Sequence, residues 1–491
     1  MGTAYYRPPG VYPEKKPNPA LRRIFDAERI PVIVGPGAYY TEVTALVTRM
    51  PTGYDDSLPE DAISIVRVGD YPDQYRYHQN TDFTFTGDFD HPKSVIKWIS
   101  GTTIPDANEP YYVTYHKLAA DSQYQFHIYT DENEIFAVHG QPTTYNLVSV
   151  GARLALSNGA PQVGIIQLDL RDAVDIDNPT EDELYTAYIN ALDVLDLLDT
   201  DECRYVVPMT TMGGVPSDGD AHFSLWESYY DHVKDRSLTT NRRWRMLIRG
   251  MALNPTGTNT EVKEAAQELA EYFGAFANIT GDDDNAARRV VIVFPGDMYV
   301  VLYDPTDKKW KSTLCDGSVL AAAAAGKICS FINPAITITY KQPRGLSTER
   351  IMSEQAMNQL ATSGVCIFFY RRNVFTCRHA MTVDDTDAST QEICVVEVED
   401  YIKTSSIYYL EDRYIGSPIV NGLTDSIEAT FASMLERMIT NSIIAEYDTS
   451  SLSVAQDNTD PRIINIWVRI KPAYPLNWID IKFQFYAGPG T

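Results

Sequence analysis

The clearest pattern in the chain is an alternation of apolar and polar residues near its C-terminus. Every second residue is apolar over residues 464–470, and the alternation returns over residues 479–485 after a proline-containing break at residues 472–475. A period of two predicts half-buried β-strands. The two strands either form a hairpin within one domain, or the last one extends outward and completes a sheet in another subunit.

The first twenty residues combine prolines with aromatic side chains. Five prolines and Gly10 forbid a helix in this segment and favour an extended chain. Tyr5, Tyr6 and Tyr12 add more aromatic surface than a free tail would carry. The segment is therefore predicted to be an extended arm that lies along the edge of a sheet.

Between the two ends, the periodicity changes twice. Residues 42–150 are rich in aromatic and β-branched residues, with turn signals about every 8–12 residues, which predicts an all-β module. Residues 151–343 alternate strand patterns with helical patterns, which predicts an α/β layer with a mostly parallel sheet. Residues 344–471 mix helices and strands. The predicted strands lie at residues 30–34, 63–68, 82–86, 95–99, 111–115, 124–129, 135–138, 164–168, 205–207, 289–294, 365–370, 374–378 and 393–398, and the predicted helices at residues 181–198, 221–235, 260–276, 317–332, 347–361 and 421–444.

These patterns predict an α/β multidomain fold: an α/β core with an inserted all-β module, an α+β C-terminal domain and extended arms at both ends. A length of 491 residues agrees with about three domains. The predicted boundaries are residues 1–25 for the N-terminal arm, 26–41 for the start of the core, 42–150 for the insertion, 151–343 for the core, 344–471 for the C-terminal domain and 472–491 for the C-terminal arm.

The net charge of −25 is distributed unevenly along the chain. Residues 1–30 carry six basic and three acidic groups, and residues 461–491 carry four basic groups and one acidic group. These basic ends either dock on acidic surfaces of neighbouring copies or are simply solvated. The overall acidity argues against a nucleic-acid binder with a general basic face. No apolar run reaches the about 20 residues of a membrane helix, and no signal-peptide pattern opens the chain, so we expect a soluble protein made inside the cell.

Motifs typical of enzymes and metal sites are missing from the sequence. It contains no Walker A loop, GxGxxG, GxSxG or HExxH motif. The six cysteines form no CxxC pair and the eight histidines lack ligand spacing, so buried reduced thiols and structural histidines are expected. Asp172, Asp175, Asp177 and Glu181 lack the glycine of a calcium loop, and residues 282–284 fit a solvated turn. We therefore expect no catalytic residue, no metal ligand and no cofactor.

Several short motifs together resemble one known family. They are Pro-Gly-Val-Tyr at residues 9–12, Trp-Ile-Ser-Gly-Thr-Thr-Ile-Pro at residues 98–105, the segment 360–366 that leads into a strand pair, Ile-Lys at residues 402–403 before the helix at 421–444, and the strand–proline–strand ending. Their order over most of the chain resembles the contractile tail sheath proteins of bacteriophages (myovirus type) and of related contractile injection systems.

The resemblance implies a structural virion protein that polymerises helically around a tail tube and contracts to drive the tube through the host envelope for genome delivery. It implies neighbouring sheath subunits, the tail tube protein, and baseplate and tail terminator proteins as partners. It implies no direct nucleic-acid contact, no membrane insertion, no cofactor and no enzymatic activity. The protein would be assembled in the bacterial host cytoplasm and reside in the virion tail. The insertion would face outward, the C-terminal domain would lie near the tube, and each arm would add a strand to a neighbour's sheet.

Three sets of residues follow as candidate interaction sites. The N-terminal arm offers Tyr5, Tyr6, Arg7, Pro9, Gly10, Val11 and Tyr12. The C-terminal strand offers Ile479, Ile481, Lys482, Phe483 and Phe485. A possible tube-facing helix carries Asp425, Glu428, Glu436 and Arg437, although the same pattern fits an ordinary amphipathic core helix with a solvated face. The alternatives for function are another phage tail or baseplate structural protein, and an α/β enzyme of unknown substrate.

Overall fold

A computed structural model of the chain describes residues 29–37, 40–51, 55–58, 62–72, 74, 76–88, 91–100, 104–118, 125–170, 173, 179–199, 203–238, 241–275, 286–304, 309–384, 386 and 391–477. The predicted N-terminal arm and the predicted strand at residues 479–485 lie outside these residues. The described chain divides into two units. The larger comprises residues 29–331, 336–397 and 475–477, and the smaller comprises residues 332–335 and 398–474.

Strands and helices are numbered in chain order over the described residues. The strands are β1 Pro31–Gly35, β2 Tyr40–Thr48, β3 Asp56–Ser57, β4 Ala62–Gly69, β5 Phe83–Asp88, β6 His91–Trp98, β7 Pro110–Leu118, β8 Phe126–Tyr129, β9 Val163–Gln167, β10 Tyr205–Pro208, β11 Met246–Gly250, β12 Val290–Phe294, β13 Met298–Asp304, β14 Lys309–Cys315, β15 Leu346–Ser347, β16 Cys366–Arg371, β17 Val374–His379, β18 Ile444–Tyr447, β19 Ser453–Gln456, β20 Ile464–Trp467 and β21 Ile470–Pro472. The helices are α1 Glu132–His139, α2 Leu147–Ser157, α3 Glu181–Leu197, α4 Ser224–Arg236, α5 Asn259–Ala275, α6 Ser318–Cys329, α7 Glu354–Thr362, α8 Ile393–Tyr414 and α9 Leu423–Thr440.

The larger unit is built on an eight-stranded sheet in the order β17-β16-β12-β11-β10-β1-β9-β8. The strands from β16 to β9 pair in parallel, and an antiparallel strand lies at each edge. Alternate residues of the central strands face two different cores, so that Ile33 packs with α2 and α6 while Val32 packs with α3, α4 and α5. Strands buried on both faces read as continuous apolar runs, and helices cover both faces. The predicted parallel α/β layer is confirmed.

Helix α6 lies unusually close to the elements around it. Its run of small residues is buried almost throughout. A Cβ atom on Gly326 would lie 2.3 Å from the carbonyl oxygen of Ala155 in α2, and one on Gly250 would lie 2.0 Å from the carbonyl carbon of Gly317. Small side chains therefore allow the backbones to approach this closely. The helix of small residues predicted at residues 317–332 is confirmed as α6.

Residues 40–118 form two three-stranded antiparallel sheets, ordered β2-β7-β4 and β3-β6-β5. Their shared core contains Tyr77, Phe83 and Tyr111, which pack edge-to-face around Trp98. The predicted all-β character holds for this part of the chain. It ends before the predicted boundary at residue 150, because β8 pairs with β9 of the large sheet and α1 and α2 follow.

Two predicted strands are helical in the structure. Residues 135–138 lie in α1, where Asp131 caps the helix and Glu132 and Glu134 stand in its first turn. Residues 393–398 form the start of α8. Their β-branched residues favour a strand by composition alone, but here they continue directly into a long helix. The predicted helix at residues 347–361 begins only at Glu354, behind the N-cap Ser353. The hairpin of β13 and β14 was not predicted.

The predicted C-terminal domain is divided differently in the structure. Strands β16 and β17 follow residue 344, yet they belong to the large sheet. The smaller unit instead contains the part of α8 from residue 398 onward, helix α9 and two antiparallel strand pairs, β18 with β21 and β19 with β20. The alternating segment 464–470 is therefore two strands with different partners, not one. Within the described residues, no helix has the length and apolarity needed to cross a membrane.

Candidate interaction surfaces

The two strand pairs of the smaller unit expose open edges. β19 pairs with β20 over four residues, and β18 pairs with β21 over a shorter, irregular register. Among the described residues, neither pair has a third strand. Unpaired peptide groups along such edges are templates for an added strand, and a two-stranded sheet gains stability from one. Both pairs are therefore candidate acceptors for a strand from another segment or another copy.

An apolar groove lies beside the β19–β20 pair. It encloses about 500 Å³, and we call it the α8–α9 groove because the end of α8 and the start of α9 form its walls. Leu410, Tyr414 and Ile427 line it from the helices, and Ile464 and Ile466 line it from β20. The loop between the helices adds the apolar residues Ile415 and Ile419 to its lining, and Ile415 is 79% exposed.

The four predicted tube-facing residues are all exposed on α9. Ile427, Phe431 and Leu435 on the opposite face are buried, and Phe431 and Leu435 belong to the core of the smaller unit, so the amphipathic pattern is confirmed. The charges are not equivalent. Glu436 accepts a hydrogen bond from the Tyr447 hydroxyl at 3.1 Å, and Arg437 donates to the Tyr409 hydroxyl at 3.0 Å.

Asp425 and Glu428 differ from the other two charges of this face. They lie one turn apart near the start of α9, and their side chains make no hydrogen bond or ion pair with the described residues. The residues of both predicted arms lie outside the described part, so their position relative to these four residues is not described. Whether the face meets a partner stays a prediction.

At the N-terminal end of the described chain, Arg29 takes part in a buried ion cluster. The Nη1 atom of Arg29 lies 3.1 Å from Oε2 of Glu397. The other carboxylate oxygen, Oε1, accepts a hydrogen bond from Nε of Arg204 at 2.8 Å and lies 2.7 Å from Nη2 of Arg204. The Glu397 side chain is 2% exposed. Burial lowers the pKa of Arg29, but the neighbouring Glu397 carboxylate outweighs it and leaves that pKa raised.

At the C-terminal end of the described chain, Asn477 is held by a second carboxylate. Its amide nitrogen donates to Oε1 of Glu392, and the same oxygen lies 3.0 Å from Nε2 of His379. The Glu392 side chain is 8% exposed. Glu392 immediately precedes α8, the helix that also carries Glu397. Sequence analysis missed both contacts, since no local pattern links residues so far apart in the chain.

One group of side chains within the described residues has the spacing of metal ligands. Ligand atoms of Glu181, Asp220 and His222 lie within 4.8 Å of one another. His222 approaches Asp182 through Nε2 at 2.8 Å and Asp220 through Nδ1 at 3.0 Å, and the hydrogen bond to Asp182 is the main cause of its raised pKa. An imidazolium that donates to two carboxylates accounts for this geometry. Of the acidic run considered above, Asp172, Asp175 and Asp177 lie outside the described residues, as do residues 282–284.

The thiols behave as the sequence predicted. All six cysteines are free, and all but Cys315 are buried. Burial is the main cause of the raised pKa values of Cys329 and Cys394, and it raises the pKa of Cys315 to about 12. Thiols with raised pKa values are poor nucleophiles and poor metal ligands at neutral pH.

Comparisons with known proteins agree with the fold and with the predicted resemblance. No family model matches the chain. A tail sheath protein of Mycobacterium phage Bxz1 is 27% identical over 346 residues, which cover 70% of this chain and 52% of that protein. The chain thus spans about half the length of this curated relative. The resemblance to tail sheath proteins is confirmed by this match.

Two solved structures share the fold. The helical sheath of the anti-feeding prophage (AFP) in its contracted state matches with a TM-score of 0.51 and 13% identity, over 98% of this chain and 99% of that chain. The sheath complex of an extracellular contractile injection system, PVC, in its contracted state matches with a TM-score of 0.50 and 11% identity, over 74% of this chain and 89% of that chain. At these identities, the two structures indicate a common fold.

Proposed function

We propose that this chain is a contractile tail sheath subunit that polymerises helically around a tail tube and contracts to drive the tube through the host envelope. The similarity to the Bxz1 tail sheath protein over 70% of the chain carries the proposal. The fold shared with two contracted sheaths supports it. The protein would reside in a virion tail after assembly in the bacterial cytoplasm, and baseplate and tail terminator proteins would be its partners at the two ends of the sheath.

Subunits would be linked by strand addition. The predicted arm segments, residues 5–12 and 479–485, would add to open edges of the β18–β21 and β19–β20 pairs in neighbouring copies. Backbone hydrogen bonds give such a contact its strength and leave each linked unit free to turn. Because a head-to-tail contact of this kind does not close on itself, identical copies form an open helix.

Contraction would then be a rigid-body rearrangement with the linked arms as hinges. The extended sheath would be metastable, and the contracted sheath would bury more lateral surface, so that release at the baseplate converts this difference into work. The tightly packed double-sided core of the larger unit suits a body that moves without deforming. No step of this mechanism uses a nucleotide or a cofactor.

The tube would be contacted by the exposed charged face of α9. Asp425 and Glu428 are the better candidates, since Glu436 and Arg437 already bond within their own unit. An outward-facing role for residues 40–118 belongs to the same proposal.

Negative-stain electron microscopy of the purified protein at high concentration, with and without added tube, tests the proposal. We expect hollow helical filaments or coated tubes from the full chain, and folded monomers that do not assemble when residues 1–20 or 478–491 are deleted. The second deletion starts after Asn477, because a cut at residue 472 would also remove part of β21 and the contact with Glu392.

A matched control separates strand pairing from composition. Permuting residues 479–485 so that apolar residues no longer alternate keeps their composition and charge, and it should abolish assembly as the deletion does. Normal filaments from either deletion would overturn the strand-addition mechanism. A full chain that neither forms filaments nor coats added tube would overturn the sheath function and favour a baseplate component.

A further inference from the structure

Both ends of the described chain are fastened to one short stretch at the start of α8. The first described residue, Arg29, contacts Glu397, and the last, Asn477, contacts Glu392. Glu392 and Glu397 are five positions apart, which is about 7.5 Å along a helix axis at about 1.5 Å per residue. All four residues belong to the larger unit. Contacts that join positions 368 and 85 residues apart thus both involve the start of α8 or the residue before it.

The contact at Glu397 is suited to holding a chain segment. Arg204 already satisfies one carboxylate oxygen with two nitrogens, and it is itself fixed by a hydrogen bond to the Trp244 carbonyl oxygen at 2.8 Å. The second oxygen of Glu397, Oε2, lies 3.1 Å from Nη1 of Arg29. Because Arg204 already orients the nearly buried carboxylate, Glu397 loses little further side-chain entropy when Arg29 binds, and the buried pair is screened only weakly by salt.

The contact at Glu392 is built in the same way, but its donor, the side-chain amide of Asn477, carries no charge. His379 of β17 and the backbone bridge between Met381 and Glu392 fix the carboxylate, and Asn477 donates its amide to it. Pro475 and Leu476 lead into this contact, and Leu476 is 79% exposed. Asn477 therefore gives this end of the described chain a polar contact with the residue that precedes α8.

We propose that the start of α8 is a common anchor for the two terminal arms, with Glu397 and Glu392 positioning them through Arg29 and Asn477. The use of the arms as links between copies rests on the proposed function, whereas the anchor is a property of the single subunit. Tension on either arm in a linked lattice would reach the same few residues of the same helix.

Amide hydrogen exchange of the full-length monomer tests the anchor without any assembly. In Arg29→Ala, peptides covering residues 24–33 should exchange about tenfold faster, and in Asn477→Ala, peptides covering residues 474–481 should do so, because local opening is no longer opposed by the contact. Exchange in β10 to β12 should be unchanged, which shows that the sheet is intact. Arg29→Lys keeps the ion pair with Glu397, and Glu392→Gln keeps an acceptor oxygen for Asn477. Each of these variants should retain most of the protection that the native chain shows.

Arg243→Ala is the matched control, because it removes a more exposed ion pair of 3.0 Å with Asp199 in the same unit. Terminal exchange in this variant should equal that of the native chain. Equal exchange in Arg29→Ala, Asn477→Ala and the native chain would overturn the anchor, even if the native chain forms filaments. Faster exchange in the two variants of a chain that does not assemble would support the anchor and reject the sheath function.

Discussion

At the scale of single residues, two buried histidines of the larger unit are held in the neutral form. His139 lies 2.7 Å from Oε1 of Gln167 through Nδ1 and 3.0 Å from the Tyr129 hydroxyl through Nε2. His232 lies between Asp196 and Arg245 at 2.9 and 2.8 Å. Burial is the main cause of the lowered pKa of each histidine. Their neutral forms therefore satisfy the hydrogen bonds of the fold.

We predict that the free energy of unfolding falls as the pH drops below about 6.5, the ordinary pKa of an unfolded histidine. Since the folded pKa is lower, the unfolded chain takes up protons first, so the stability is present above that pH and is lost toward the folded pKa. Each histidine contributes a slope of at most about 1.4 kcal/mol per pH unit.

His139→Gln should flatten this dependence by one histidine's share. Urea unfolding of both chains between about pH 5 and pH 8 measures it. The comparison is needed because the raised pKa of His222 contributes with the opposite sign. Parallel pH curves for the two chains would show that His139 does not titrate as its surroundings require.

Another single residue, Asp56, links several parts of residues 40–118, which we call the β module. Asp56 is fully buried and accepts three hydrogen bonds: from the backbone of Met50 at 2.6 Å, from the Trp98 indole at 2.7 Å and from the Tyr111 hydroxyl at 2.8 Å. Its carboxylate thus links a loop, a strand of each sheet and the aromatic cluster of the core. Burial, followed by this carboxylate, raises the pKa of Tyr111.

Asp56→Ala should destabilise the module by about 3 kcal/mol, because three buried donors lose their acceptor and each unsatisfied group costs about 1–3 kcal/mol. Hydrogen exchange of residues 40–118 should accelerate, while exchange in the eight-stranded sheet stays as in the native chain. Lys97→Ala, an exposed change on β6, is the control and should leave both regions unchanged. Protection of the module in Asp56→Ala would contradict the role assigned to the carboxylate.

At the scale of elements, the sequence predicted the strands and helices whose pattern of apolar residues follows directly from burial. The two-sided strands β1, β9 and β12 read as apolar runs, and the amphipathic helices α3, α5 and α9 read by their period. The strand predicted at residues 135–138 failed because four apolar residues in a row look alike in either conformation, and only the cap Asp131 distinguishes them.

The sites were predictable to a similar extent. The charged face of α9 follows from its period. The α8–α9 groove does not, because the apolar residues of its mouth stand in a loop, where they indicate a binding surface only once the loop is seen to be exposed. The contacts of Glu392 and Glu397 join distant parts of the chain, and no local pattern encodes such partners.

For α9, we predict that Asp425→Lys with Glu428→Lys weakens coating of the tube at least about tenfold while self-assembly and the fold stay intact. Both side chains are exposed near the start of the helix, so the folded subunit loses no contact. Co-sedimentation with purified tube measures the effect. Glu264→Lys with Glu271→Lys makes the same charge change on the exposed face of α5 and should coat normally. Equal coating by the two variants would exclude α9 as the tube-facing element.

At the scale of the whole molecule, charge sets two opposing demands on assembly. A net charge of −25 makes identical copies repel one another. The two ends, each with a net charge of +3, are attracted to the same acidic bodies. Both effects are screened by salt, so the sign of the salt dependence shows which of them limits the rate of assembly.

We predict that the attraction of the ends limits the rate, so that assembly slows as the ionic strength rises from about 0.01 M to about 0.15 M and the screening length falls from about 30 Å to about 8 Å. Light scattering measures the rate. Lys15→Gln with Lys16→Gln should start slower and depend less on salt, because fewer charges steer the arm. Lys309→Gln with Lys311→Gln removes two charges from the exposed strand β14 and should keep the native dependence. A rate that rises with salt in all three chains would mean that repulsion between the bodies governs assembly.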